Sequence, residues 1–152
     1  MSSERDLTGK LIYAARLCRT LRASMLLDHG LHAGQDLLLK SLSRTNGQTM
    51  GSLAADLGVR PPTITKMVTR MEAQGLVVRQ ASGFDNRLNL VHVTPAGEAL
   101  LARIDEAWRK ADTAAFDKLK DKDSRRLNKI LDRILASLAG QGSQGRQARR
   151  EM

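Results

Sequence analysis

Apolar residues recur along this chain in helical steps before the period changes once, near its middle. Leu7, Leu11, Ala14, Cys18, Leu21 and Met25 fall three or four positions apart, which predicts a long first helix with one apolar stripe, stopped by Gly30. A second helical stretch is predicted from about Ala33 to Arg44 through Leu37, Leu38 and Leu42, closed by the turn formers Thr45, Asn46 and Gly47. Thr49 is placed to cap a short helix holding Leu53, Ala54 and Leu57, and Gly58 supplies the positive φ of a sharp interhelical turn. Pro61 and Pro62 then mark a helix start, because first-turn amides have no intrahelical partner to lose. That helix runs to about Gln74, with Gly75 as its stop.

Two strand-like runs follow, Leu76 to Gln80 and Arg87 to Val93, separated by a loop of turn-forming residues from Ala81 to Asn86. Thr94 and Pro95 open another helix by the same capping logic, about seven turns long. Its stripe is Leu101, Ile104, Trp108, Ala111, Ala115 and Leu119. After a break near Lys120 to Asp123, a last helix carries Leu127, Ile130, Leu131, Ile134 and Leu138. From Gly140 the chain is polar, Gly-rich and basic, has little to bury, and is expected to be disordered in isolation.

A short helix, a glycine turn, a second helix and a hairpin, in that order, predict a mainly α fold with a small β-hairpin wing, a winged helix-turn-helix. On its second helix Ile64, Val68 and Met71 share one face, which leaves Thr63, Thr65, Lys66, Thr69 and Arg70 on the other. That outer face has cations and hydroxyls and no carboxylate. It is either a solvated polar face or a surface for phosphates and base edges, with threonine hydroxyls and helix N-terminal amides meeting phosphates while Lys66 and Arg70 reach bases. Thr49, Arg60 and Pro62 belong to the same candidate DNA-binding set.

Composition narrows the choice. Lys and Arg number 25 against 16 acidic residues, a net charge of +9 over 152 residues, as expected of a partner for a polyanion. Aromatic residues make up only 3%, too few to stack the bases of single strands, so duplex DNA is favoured. No apolar run approaches the ~18 residues of a membrane span and the N-terminus lacks a hydrophobic signal segment, so a cytoplasmic protein without membrane partners is expected. A single cysteine excludes an internal disulfide and a multi-cysteine zinc site. His29, His32 and His92 lack the ligand company of a metal site. Neither phosphate loop, paired catalytic carboxylates nor nucleophile motif is present, so no enzyme, metal or cofactor is predicted.

The stretch LAADLGVRPPTITKMVTRMEAQGLVVR, followed by FDNRLNLVHVTPAG, resembles the DNA-binding core of the MarR family over roughly residues 31 to 100. Asp85-x-Arg87 ahead of Val93-Thr94-Pro95-Ala96-Gly97 carries much of that resemblance. It implies that Arg87 enters a minor groove, oriented by Asp85, where negative potential is concentrated. Gly83, Phe84 and Asn86 depart from the family's wing, where further arginines and a second acidic residue are common.

The resemblance also implies a homodimer on a pseudo-palindromic operator. The divisions expected are a dimerisation helix over 1–30, the DNA-binding lobe over 31–94, dimerisation helices over 95–139 and a basic tail over 140–152. Apolar stripes in excess of what a small winged lobe needs point the same way, although they could instead close a monomeric core. A small effector, aromatic, anionic or an acyl thioester, is implied near Tyr13, Arg16, Leu17, His32, Gln35 and Trp108. Duller roles stay open for these residues: core or interface for Tyr13 and Trp108, a solvated face for Arg16, a helix N-cap for His32. Cys18, within an apolar stripe, suits core packing better than redox sensing. A nonspecific or architectural DNA binder without an effector site is the alternative function, as is a protein-interaction module on the same fold.

Overall fold

The computed structural model describes residues 6–83 and 89–148. Seven helices and three strands follow one another among these residues, and the chain divides into compact units at residues 1–112 and 113–152.

In the first unit, α1 (Leu7–Leu27) is capped by the Asp6 carboxylate, which accepts the Gly9 N–H. Helix α2 (Gln35–Arg44) starts two residues later than the periodicity predicts, because Gly34 at φ 91 serves as N-cap and leaves Ala33 in the preceding turn. His32 is therefore not the cap; its backbone N–H donates to the Gln35 side chain. Along α2 the buried leucines are Leu38, Leu39 and Leu42, while Leu37, expected on the inner stripe, faces outward at 44% exposure.

Strand β1 (Gln48–Thr49), which had not been anticipated, precedes α3 (Met50–Leu57) and α4 (Pro61–Ala73). Thr49 caps α3 by accepting the Ser52 N–H, and Gly58 makes the α3–α4 turn at φ 65, a conformation that costs a residue with a Cβ about 1 kcal/mol or more. Strands β2 (Val77–Ala81) and β3 (Asn89–Val93) form an antiparallel hairpin, and β1 adds to its far side in the order β1-β3-β2, with Gln48 opposite Val91 and Val77 opposite Val93.

A single seven-turn helix after Thr94 is not what forms. Helix α5 (Pro95–Ala99) ends at Leu100, whose N–H bonds three residues back to Gly97 in place of the α-helical four, and α6 (Leu101–Phe116) follows. Helix α5 also packs tightly against the sheet: a Cβ at Gly97 would lie 2.3 Å from the Leu76 carbonyl oxygen and 2.8 Å from Val93 Cγ2. Such a contact admits only glycine.

The core is wholly aliphatic. Leu26, Leu31, Leu38, Leu39, Leu42, Leu53, Ile64, Val68, Met71, Val77, Val91 and Ile104 are its largest fully buried side chains. Ala107 and Ala111 complete the α6 stripe, and Trp108 packs at its edge. Most of α1 stays uncovered in this unit: Leu7, Leu11, Tyr13 and Leu17 are exposed, Cys18 is half-buried, and only Leu26 is buried.

In the second unit, α7 (Asp121–Ala148) carries Leu127, Leu131 and Ile134 half-buried and Ile130, Leu135 and Leu138 exposed. Its helical backbone passes Gly140, where the sequence suggested that structure ends. Among the described residues no helix is long and apolar enough to cross a membrane.

Candidate nucleic-acid interface

Helix α4 presents the candidate surface. Ile64, Val68 and Met71 anchor its inner face, and this fixes the opposite face outward: Pro62, Thr63, Thr65, Lys66, Thr69 and Arg70 are all exposed, with Arg60 at the N-cap. Neither Lys66 nor Arg70 is drawn into an ion pair among the described residues, so both cations stand ready for an external anion.

The hydroxyls are not equivalent. Thr65 Oγ1 donates to the Pro61 carbonyl at 2.9 Å, so its proton is already committed within the helix. Thr49 Oγ1 accepts from Ser52 N–H and Thr69 Oγ1 accepts from Arg79 at 3.4 Å; both retain a proton to donate to a phosphate. The α4 N-terminus, by contrast, offers no amide. Pro61 and Pro62 lack N–H groups, and the Thr63 and Ile64 amides both bond to the Arg60 carbonyl. The expectation that its helix amides meet phosphates is thereby corrected, and anion contact here falls to side chains.

Two polar networks hold this surface in place. Ser41 Oγ donates to Asp56 Oδ2, and Arg44 pairs with the same oxygen at 2.9 Å, which joins α2 to α3. The Ser41 hydrogen bond and the Arg44 charge hold the Asp56 carboxyl below its ordinary range. Gln48, buried in β1, donates to Ser41 and to the Thr45 carbonyl and accepts from Ser52. Across α1, α2 and α6, the Trp108 indole N–H donates to buried Asp36 at 2.9 Å while Arg22 lies 4.7 Å over its ring. Arg22 and Lys40 also pair with Asp112 and Asp105. None of these side chains is singled out by the sequence for such a role; apart from the local bonds of Gln48, their partners lie 12 to 90 residues apart, beyond any local pattern.

The proposed effector residues are not gathered into one place. His32 and Gln35 line a cleft of about 260 Å³ with Ala33, Thr63, Lys66, Met67 and Arg70, between the start of α2 and α4. Gln35 is tied by donating to Gln74 at 3.0 Å. Tyr13 and Arg16 stack on each other along α1 at 5.2 Å, Leu17 is exposed beside them, and Trp108 is engaged with Asp36. Asp85 and Arg87, expected at the wing tip, lie outside the described residues. No group of three or more metal-ligating side chains occurs among the described residues.

Two helices joined by a left-handed glycine, the second exposing cations beside a small antiparallel sheet, make this a winged helix-turn-helix. The MarR family model matches residues 31–88. A Thauera aromatica protein named for transcriptional regulation of the hcr operon is 29% identical over 126 residues, 83% of this chain and 74% of its own. The HTH-type transcriptional repressor Rv2887 of Mycobacterium tuberculosis is 26% identical over 127 residues, 83% of this chain and 91% of its own. The crystal structure of Rv2887 with salicylic acid shares the fold at a TM-score of 0.74 and 24% identity, covering 88% of this chain and 99% of that one. A crystal structure of a transcriptional regulator from Pseudomonas aeruginosa gives a TM-score of 0.76 at 27% identity over 86% of this chain and 98% of its own. The segment over residues 31–88 thus resembles the MarR family, and the chain shares the fold of these winged-helix transcriptional regulators.

Proposed function

We propose that this chain is a homodimeric, sequence-specific DNA-binding repressor whose hold on duplex DNA is released by a small anionic effector. The observation that carries the reading is the α4 face: Lys66 and Arg70, without an ion pair among the described residues, flanked by threonines on a helix whose opposite side is locked into the core. Lys66 and Arg70 reach base edges, Arg60, Thr49, Thr63 and Thr69 meet phosphates, and Pro62 sets the approach of the helix. Arg87, oriented by Asp85, enters the minor groove.

Two copies are needed because the exposed α1 face and, separately, the exposed face of α7 leave leucines wet in a single chain. A second protomer covering them places two α4 helices ~34 Å apart on a pseudo-palindromic site.

The effector reading rests on the cleft beside α4. Its lining combines the apolar side chains of Ala33 and Met67 with two cations, Lys66 and Arg70, which suits a small aromatic acid. A carboxylate seated there draws on the same Lys66 and Arg70 that serve the DNA, so the two ligands oppose each other. That the related Rv2887 crystallised with salicylic acid makes salicylate the first acid to try.

Selection of duplexes from a randomised library, followed by titration of the enriched and scrambled sequences at fixed salt, tests the central claim. A specific regulator holds its site ~10³-fold or more tighter than the scrambled one. Equal affinity would leave only a nonspecific binder. Arg87→Ala is expected to weaken the enriched duplex by about 1–3 kcal/mol without changing fold or dimerisation. Salicylate is expected to release the duplex from the wild type and to lose this effect when Met67 is replaced by a bulkier Trp that fills the cleft.

A further inference from the structure

Glu72 is the single acidic residue of α4. It stands on the last turn, immediately after buried Met71, beside a surface proposed to meet a polyanion. A carboxylate there repels phosphate, and its neighbours explain its presence. Oε1 accepts the backbone N–H of Arg79 at 3.1 Å, and Oε2 accepts both Nε and a terminal nitrogen of the same arginine, at 2.9 and 2.6 Å. Both the main chain and the side chain of one strand residue are therefore fixed by one carboxylate. Arg79 lies in β2, an edge strand, so an N–H directed away from β3 has no ladder partner, and Glu72 supplies it.

The position along the strand matters. Burial in β2 fades from Val77, which is buried, through half-buried Val78 to Arg79 and beyond, which are exposed. Strand β2 leaves the core at residue 79 while its partner Val91 in β3 stays buried, so apolar packing holds β3 but not the outer edge of the hairpin there. A planar guanidinium held at two nitrogens resists rotation far better than a single contact. The contacts also settle the charges: hydrogen bonds from Arg79 hold the Glu72 carboxyl below its ordinary range and raise Arg79 above its own.

We infer that Glu72 and Arg79 form a brace that sets the angle of the wing against α4, and that both are positioning residues for specific DNA recognition, neither of them a phosphate ligand. Without the brace, a wing free to rock must be ordered at the moment of binding, a cost that pre-organisation removes. The Thr69 hydroxyl, 3.4 Å from Arg79, links the brace to the DNA-facing side of α4.

This inference rests on the DNA-binding reading, and its sign is opposite to that of the obvious alternative. Were Arg79 a phosphate ligand held in reserve, removing Glu72 would free it and strengthen binding. A brace requires the reverse: loss of a negative charge weakens binding to DNA.

The test uses the full chain, the duplex enriched by the wild type, and its scrambled counterpart. Glu72→Gln, which keeps the shape, is expected to bind the enriched duplex about tenfold more weakly, with scrambled DNA bound as well as before or better. Arg79→Ala and the double variant are expected to match it, and the dependence on salt is expected to keep its slope, where loss of a phosphate ligand lowers it by about one. Arg79→Lys keeps the charge without the fork and is expected to remain defective. Tighter binding by Glu72→Gln, a reduced slope in Arg79→Ala, or full activity of Arg79→Lys overturns the brace. Amide exchange without DNA separates this claim from the broader one. The Arg79 amide is expected to exchange faster in Glu72→Ala than in the wild type, and equal rates overturn the brace even if no duplex is enriched.

Discussion

Helices α4 and α1 carry apolar residues at the same helical spacing, yet Ile64, Val68 and Met71 of α4 are buried to 1% or less while Leu7 and Leu17 of α1 stay 76% and 52% exposed. Periodicity states which face of a helix needs cover; it does not state what supplies it. Around α4 the cover comes from α2, α3 and the sheet of the same unit. Along α1 only the C-terminal end meets that core, at Leu26, with Cys18, Leu21 and Met25 half-buried before it. The part of the protein proposed to read DNA is thus self-sufficient, and the part proposed to pair two copies is incomplete alone.

Truncation at matched positions breaks the comparison most sharply. Leu42→Ala in α2 is expected to lower the unfolding free energy by about 2–5 kcal/mol, measured by urea denaturation, because a fully buried side chain leaves a cavity. Gly97→Ala is expected to cost about 1–3 kcal/mol, since the added methyl meets the Leu76 backbone and Val93 and must push α5 off the sheet. Leu17→Ala on α1 is expected to change the concentration-independent stability by under ~0.5 kcal/mol while shifting the dimer towards monomer in sedimentation. An effect on stability as large as that of Leu42→Ala, with no shift in association, would mean that α1 is covered within one chain.

A pH titration sharpens the picture of the DNA-binding lobe. Asp56 has its carboxyl depressed in the folded state by Ser41 and Arg44, so its contribution is complete above the ordinary carboxylate range and is lost as pH falls through the folded value. Denaturation midpoints from pH 7 down to about 3 are expected to fall less steeply for Asp56→Asn than for the wild type, and parallel profiles would contradict the assignment. The smallest effect is expected at Thr65. Its hydroxyl is spent on the Pro61 carbonyl, so Thr65→Ala is expected to alter duplex affinity less than Thr69→Ala.

Much of this was legible in the chain. Thr49 acts through its hydroxyl on an amide three residues on, and Gly58 and the Pro61-Pro62 pair act through their own backbone, so they announced α3, the turn and α4 to within a residue or two. The outer face of α4 followed from the inner one by helical geometry alone. What escaped reading depended on distant partners. Strand β1 is two residues long and exists because β3 lies beside it and because Gln48 is hydrogen-bonded to Ser41 and Thr45. The α5–α6 break at Leu100 carries no mark in local propensity. Of the candidates for an effector site, only His32 and Gln35 meet at the cleft, since a pocket is made by the packing of separate elements.

By itself, then, the sequence determined where α3 and α4 begin and end, which face of α4 turns inward, and that a cationic helix stands next to a hairpin. These are consequences of short-range forces, capping, dihedral preference and the spacing of side chains on a helix or strand. Tertiary structure alone decided that Glu72 is paired with Arg79, that Trp108 is held by Asp36 and Arg22, and that Thr65 is already engaged while Lys66 and Arg70, among the described residues, are in no ion pair. Such pairings depend on which elements come within a few ångströms of each other, and hydrogen bonds and ion pairs fall away too steeply with distance to be inferred before that is known.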